Sequence, residues 1–150
     1  QDAPFLSPNM FRELVMPYYK RGLDWVHANT GMKVFMHNDG AIFDLIPSLI
    51  EMGVDILNPV QCSAKGMEPA ELKRRFGDQI VFWGGGVDTQ HTLPFGTPED
   101  VRREVRERIR AFGPGGGFVF NPIHNVQAQT PIENLMAMFE ALREYGQYPL

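Results

Sequence analysis

The sequence predicts an α/β fold: about four βα units preceded by a helix, with parallel strands, equal to half of a (β/α)8 TIM barrel. Three observations lead there. Short apolar runs alternate with amphipathic helical patterns, which argues a parallel sheet covered by helices. Each run passes directly into a polar cluster, "HNDG", "NPVQ", "GGGVDTQ" or "NPIHNVQ", and a barrel gathers all such strand ends on one rim. The chain has 150 residues, whereas a complete barrel takes about 250. An open doubly wound sheet is the competing architecture, but no GxGxxG follows the first strand.

The elements follow in order. Ser7-Pro8 opens the first helix, a capping side chain followed by proline at the first helical position. This helix is expected from about Pro8 to Ala28, apolar at Phe11, Leu14, Val15, Tyr18 and Tyr19, and kinked at Pro17. The strand "KVFMH" comes after Gly31. A helix from about Ile42 to Met52 carries Leu45, Ile46, Leu49 and Ile50 and closes at Gly53. "VDILN" reads as the second strand, "PAELKRRF" as a short helix ended by Gly77, and "IVFWG" as the third strand. Thr97-Pro98-Glu99-Asp100 starts a helix with Val101, Val105, Ile109 and Phe112 on its apolar side. "GPGGG" turns into the strand "FVFN", and Thr130-Pro131-Ile132-Glu133 opens a last helix to about Tyr145.

Composition narrows the function. The hydrophobic fraction is 43%, the charged fraction 21% and the net charge −4, as in an ordinary globular domain with an acidic balance. No basic stripe supports nucleic-acid binding, and Lys73-Arg74-Arg75 reads as a solvated helix face. Cys62 is the single cysteine, so no intrachain disulfide forms and a reducing cytoplasm is expected. No apolar stretch reaches the roughly 20 residues of a membrane span, and no signal peptide is visible. The opening "QDAPFLSP" lacks an initiator methionine and reads as part of something longer. Half a barrel would have two open edges, so a homo-oligomer, or completion by the absent N-terminal half, is expected.

The chemistry-bearing residues lie at the strand ends. In extended backbone, His37 and Asp39 point the same way. His124 follows the last strand, on what a barrel makes the same rim. Two imidazoles and a carboxylate with room for a water suit an open zinc site. The structural alternative is a strand-end histidine bonded to a loop, with Asp39 orienting an imidazole. In "GGGVDTQ", Gly85 and Gly86 allow close approach of backbone to a ligand, and Asp88 either lines that pocket or holds a loop amide. Asn58, Gln61 and Gln90 suit recognition of an amide or carboxylate; Gln127 reads as a loop hydrogen-bonder. Cys62 reads as inert, and Met136, Met138 and Phe139 as packing. Trp25 and Trp83 read as core or core edge, His27 as a helix C-terminal cation, and His91 as an exposed loop residue.

In their order and spacing, "HNDG", "GVDILNPVQ", "GGGVDTQ", "GTPEDVRREV" and "GGGFVFNPIHNVQAQTPIENL" resemble the C-terminal half of the uroporphyrinogen decarboxylase superfamily. The resemblance covers nearly the whole chain and implies a single partial (β/α)8 barrel domain over 1–150 whose N-terminal half is absent. The superfamily includes cobalamin-dependent methyltransferases that move methyl groups between corrinoid proteins and thiols such as coenzyme M. Those enzymes carry His-x-Cys at this first strand end and a second Cys after the last strand, all binding zinc. His37 matches the histidine; Asp39 and His124 stand where the two cysteines would be. The decarboxylases hold no metal, and a histidine at the position of His124 contacts a substrate propionate. Their catalytic aspartate and arginine-rich signature belong to the other half, so no catalytic residue is assigned here.

The resemblance therefore implies an enzyme, with three readings. The first is a zinc-dependent methyltransferase component, with methylcobalamin carried by a partner corrinoid protein. The second is a cofactor-free uroporphyrinogen decarboxylase of porphyrin and heme biosynthesis, a carboxy-lyase. The third is a half-barrel acting as a non-catalytic binding or assembly unit. None of the four strand-end clusters contains an arginine, which counts against a polyanionic porphyrinogen.

Overall fold

The computed structural model describes residues 2–148. Helices α1 (Pro8–Leu14) and α2 (Met16–Asn29) precede strand β1 (Phe35–His37). A 3-10 turn at Phe43–Leu45 leads into α3 (Ile46–Met52), then β2 (Ile56–Asn58), α4 (Pro69–Phe76) and β3 (Val81–Trp83). The chain continues through α5 (Thr92–Phe95), α6 (Pro98–Phe112), β4 (Phe118–Val119) and α7 (Ile132–Tyr145). All three strand pairings are parallel, and the order in the sheet is β1-β2-β3-β4. Strands added strictly in sequence are the arrangement of a barrel segment. A doubly wound sheet reverses its order at a switch point, and none occurs here.

The expected first helix is two. Pro17 has no N–H and its ring clashes with the carbonyl of the preceding turn, so the chain restarts at Met16 with proline in the first turn of α2. Ser7 caps α1 as expected, its Oγ accepting from the Met10 amide at 3.2 Å. Gly53 closes α3 with φ of 105°, and α6 opens on a reciprocal capping box between Thr97 and Asp100. The α7 start differs from expectation: no side-chain cap is made there.

The core lies between the sheet and the helices. Met36, Leu57, Phe82 and Phe118 stand in register across the four strands and all belong to the larger apolar cluster. Leu49, Met52, Leu72 and Phe76 of α3 and α4 meet them there. A second cluster joins Val101, Val105 and Ile109 of α6 to Ala137, Met138 and Ala141 of α7.

The other sheet face is open, which corrects several expectations. Trp83 is 37% exposed and packs edge-on against Phe35, itself 48% exposed, with ring centroids 5.5 Å apart. Trp25 is exposed, as are Leu14, Tyr18 and Tyr19. Tyr18 and Trp25 are seven residues apart and share one outward face of α2, while Val15 and Leu23 turn toward the core. Met136 and Phe139 are likewise exposed, because α6 covers only the Ala137–Met138–Ala141 side of α7.

Candidate metal centre

The parallel register sets His37 beside Asn58. The Asn38 amide continues that ladder, donating to the Asn58 carbonyl at 2.6 Å. Beyond it, the Gly40 amide donates to Gln61 Oε1 at 2.8 Å. "NPVQ" thus braces "HNDG" from the neighbouring strand. On the other side, the Ile123 amide donates to the Val87 carbonyl at 3.0 Å and the Gly86 amide to Asn121 at 2.9 Å. These bonds bring the segment after β4, with His124, onto the same rim.

His37, Asp39 and His124 converge there. One ligand atom from each lies within 4.8 Å of the others, and all three residues are exposed. The two imidazole centroids are 6.2 Å apart, and His37 Nε2 is 3.1 Å from Asp39 Oδ2.

The protonation pattern follows from the neighbours. Asn58 Nδ2 donates to the Trp83 carbonyl at 2.8 Å, which turns its Oδ1 toward His37 Nδ1, 2.7 Å away. An amide oxygen only accepts, so His37 Nδ1 carries a hydrogen. Its Nε2 faces the Asp39 carboxylate, a contact that is attractive only with a proton or a cation between them. His124 Nδ1 likewise contacts Asn125 Oδ1, which leaves its Nε2 available. Imidazole fixed by an amide on its far side is the usual support of a metal-binding histidine.

Of the other expected site residues, Gln61 and Gln90 line the cavity against the group, whereas Asn58, Gly85, Gly86 and Asp88 do not. Asn58 and Gln61 hold the ligand-bearing loop, so their hydrogen bonding is directed into the protein. Asp88 is 8% exposed. Its carboxylate accepts from the Gln90 amide at 2.7 Å and the His91 amide at 3.3 Å, and lies 3.1 Å from His91 Nδ1. It therefore shapes the turn into α5, which is the loop-holding alternative of the sequence reading. Gly85 and Gly86 pack on protein: a Cβ at Gly86 would lie 2.5 Å from the Phe120 ring, and one at Gly85 3.1 Å from Cys62 Sγ. Neither glycine lines a cavity beside the metal-binding group. Cys62 stands apart from that group, and burial pushes its thiol up to about 11, where it stays protonated and inert.

A cavity of about 230 Å³ lies against the group, lined by Asp39, Gln61, Thr89, Gln90, Ile123 and His124. It shares Thr89, Gln90 and His124 with a cleft of about 680 Å³ that runs past Phe95 and Asn125 to Thr130. Sequence reasoning missed Thr89, Phe95 and Asn125. Asn125 had a local signal, an amide directly following a histidine; Phe95 had none, because the four residues of α5 show no period.

A parallel βα sheet ordered as in a barrel segment thus carries a histidine–carboxylate–histidine group at its strand ends, a candidate metal-binding arrangement. The chain belongs to the uroporphyrinogen decarboxylase (URO-D) family, whose pattern it matches over residues 2–145. It is 25% identical over 150 residues to a uroporphyrinogen decarboxylase of Coxiella burnetii, covering 94% of this chain and 38% of that protein. A uroporphyrinogen decarboxylase of Trichodesmium erythraeum is 29% identical over 142 residues, covering 93% and 37%. Among solved structures, a methyltransferase from Methanosarcina mazei superposes with a TM-score of 0.73 at 19% identity, over 95% of this chain and 39% of that one. The chain thus spans about two fifths of the length of these proteins. Among the described residues no helix is long and apolar enough to cross a membrane.

Proposed function

We propose that this chain carries the metal-binding rim of a zinc-dependent methyl-transfer enzyme working with a corrinoid-bearing partner protein. The observation that carries the reading is the convergence of His37, Asp39 and His124, with the His37 tautomer set by Asn58. Two neutral imidazoles and one carboxylate are a donor set that zinc accepts, leaving a position open for an exogenous ligand. Zinc in such a site supplies Lewis acidity that draws a bound thiol or related heteroatom toward its nucleophilic anion. The protein's part is positional. Asn58 and Asn125 orient the two rings, and Gln61 anchors the loop that presents Asp39. The cavity against Asp39 and His124 then receives the reacting end of the substrate.

The decarboxylase reading is supported by the names of the curated relatives. In it, His124 contacts substrate and His37 has no role. Elemental analysis of the purified chain and of His37→Ala separates the two. We expect zinc at about one equivalent per chain, lost in the variant. A folded chain that takes up no zinc overturns the methyl-transfer reading and leaves His124 as a substrate contact.

A further inference from the structure

The larger cleft beside His124 has walls that packing alone does not call for. Phe95 is 81% exposed, yet it sits on a turn pinned at both ends. Asp88 holds the start through the Gln90 and His91 amides. At the far end Asn134, 1% exposed, donates to the carbonyls of Leu93 at 2.9 Å and Gly96 at 2.8 Å. A large aromatic presented on a rigid turn is a preformed flat apolar wall. Amides and a hydroxyl share the lining with it: Asn125, Gln127, Gln129 and Thr130. Of the lining side chains only His124 is ionisable, and it belongs to the metal-binding group. Where the cleft meets the smaller cavity, Thr89 is 7% exposed and its Oγ1 has no hydrogen-bond partner in the protein.

We propose that this cleft is the substrate subsite and that it takes an uncharged, planar small molecule bearing a carboxamide or hydroxyl group, and discriminates against anions and cations. Amides and hydroxyls both donate and accept, so they satisfy a neutral polar head on all sides. A carboxylate, sulfonate or ammonium would enter a concave site with no opposing charge on its walls, losing hydration without compensation. The chain's net charge of −4 adds to the disadvantage of an anion. Phe95 receives the planar face of the ligand, and the amides of Gln90, Asn125, Gln127 and Gln129 meet its polar edge. Only the orientation of the ligand, reacting end toward His124, rests on the metal reading.

Three probes of one shape isolate charge: benzamide, benzoate and benzamidinium. Each is titrated into the metal-free chain and followed by backbone amide NMR. Benzamide is expected to shift the amides of Phe95 and of residues 127–130, and to bind at least about tenfold more tightly than either ion. Phe95→Ala is expected to weaken it by a similar factor, and Gln129→Arg, at an exposed wall position, to shift the preference toward benzoate. Benzoate or benzamidinium binding as well as benzamide, shifts confined to another surface, or no binding by any probe would overturn the proposal. Because the ranking is read without metal, a chain that prefers benzamide but takes up no zinc refutes the metal reading alone. A zinc-binding chain that prefers benzoate refutes this one alone.

Discussion

At His37 the informative contact is on the side of the ring away from the metal position. Asn58 receives the Nδ1 hydrogen while its own amide nitrogen is held by the Trp83 carbonyl. Replacing Asn58 with alanine frees the ring to rotate and to place its hydrogen on Nε2, where it blocks the ligand lone pair. On the proposed zinc reading, we expect Asn58→Ala to lower zinc affinity by about 10–100-fold, read by competition with a chromophoric chelator. Asn58→Asp keeps an acceptor for Nδ1 but sets its second oxygen against the Trp83 carbonyl, so it should recover only part of the affinity. A structural role alone would not separate the two substitutions in this way. The convergence of His37, Asp39 and His124 was legible in the sequence because each sits where an apolar run ends, and strand ends share a rim. The role of Asn58 was not, because it depends on the register His37↔Asn58 between two strands and on a carbonyl from a third. Asp88 was left open between a ligand contact and a loop role for a related reason: a carboxylate after a glycine run looks the same whether it faces a substrate or the amides two and three residues on.

Among the elements, α6 was the easiest to read and makes the sharpest acid prediction. Thr97 and Asp100 cap it reciprocally, and removing the hydroxyl in Thr97→Ala should cost about 1 kcal/mol in urea unfolding. The Thr97 hydroxyl and amide, with Arg103, hold the Asp100 carboxyl down at about 2, against an ordinary 3.8. The folded state therefore favours the ionised group. Its contribution is complete above the ordinary value and is lost as pH falls from there through about 2. The stability gap between the native chain and Asp100→Asn should thus narrow over that window, measured as urea midpoints along a pH series. Asp55 acts with the same sign: burial pushes its carboxyl up, but bonds from the Val34 amide, His27 and Lys33 outweigh this and hold it low. That cluster ties the end of α2 to the start of β1, a partner that the helix-dipole reading of His27 did not name. Two elements escaped the sequence. The break between α1 and α2 was read as a bend, and α5 is a single turn fixed by Asp88 and Asn134 side chains rather than by any periodicity of its own.

For the molecule as a whole, the alternation of strands and helices gave the architecture correctly, and the ordered sheet agrees with it. What alternation does not reveal is which face of each strand is covered. "KVFMH" and "IVFWG" are apolar throughout, as strands buried on both sides would be, yet helices cover only the Met36–Leu57–Phe82 side. Phe35 and Trp83 are left packed edge to face on the open side of the sheet. Among the described residues β1 and β4 each pair with one neighbour, so both sheet edges offer free backbone donors and acceptors. An exposed apolar face flanked by two such edges is a strong drive toward association. We expect the chain to self-associate in sedimentation velocity, with weight-average mass rising with concentration. Trp83→Lys should weaken this without disturbing the site, because Asn58 bonds the Trp83 backbone carbonyl and not its ring. If the chain stays monomeric at every concentration, or if Trp83→Lys leaves the association unchanged, then that face is not where copies meet.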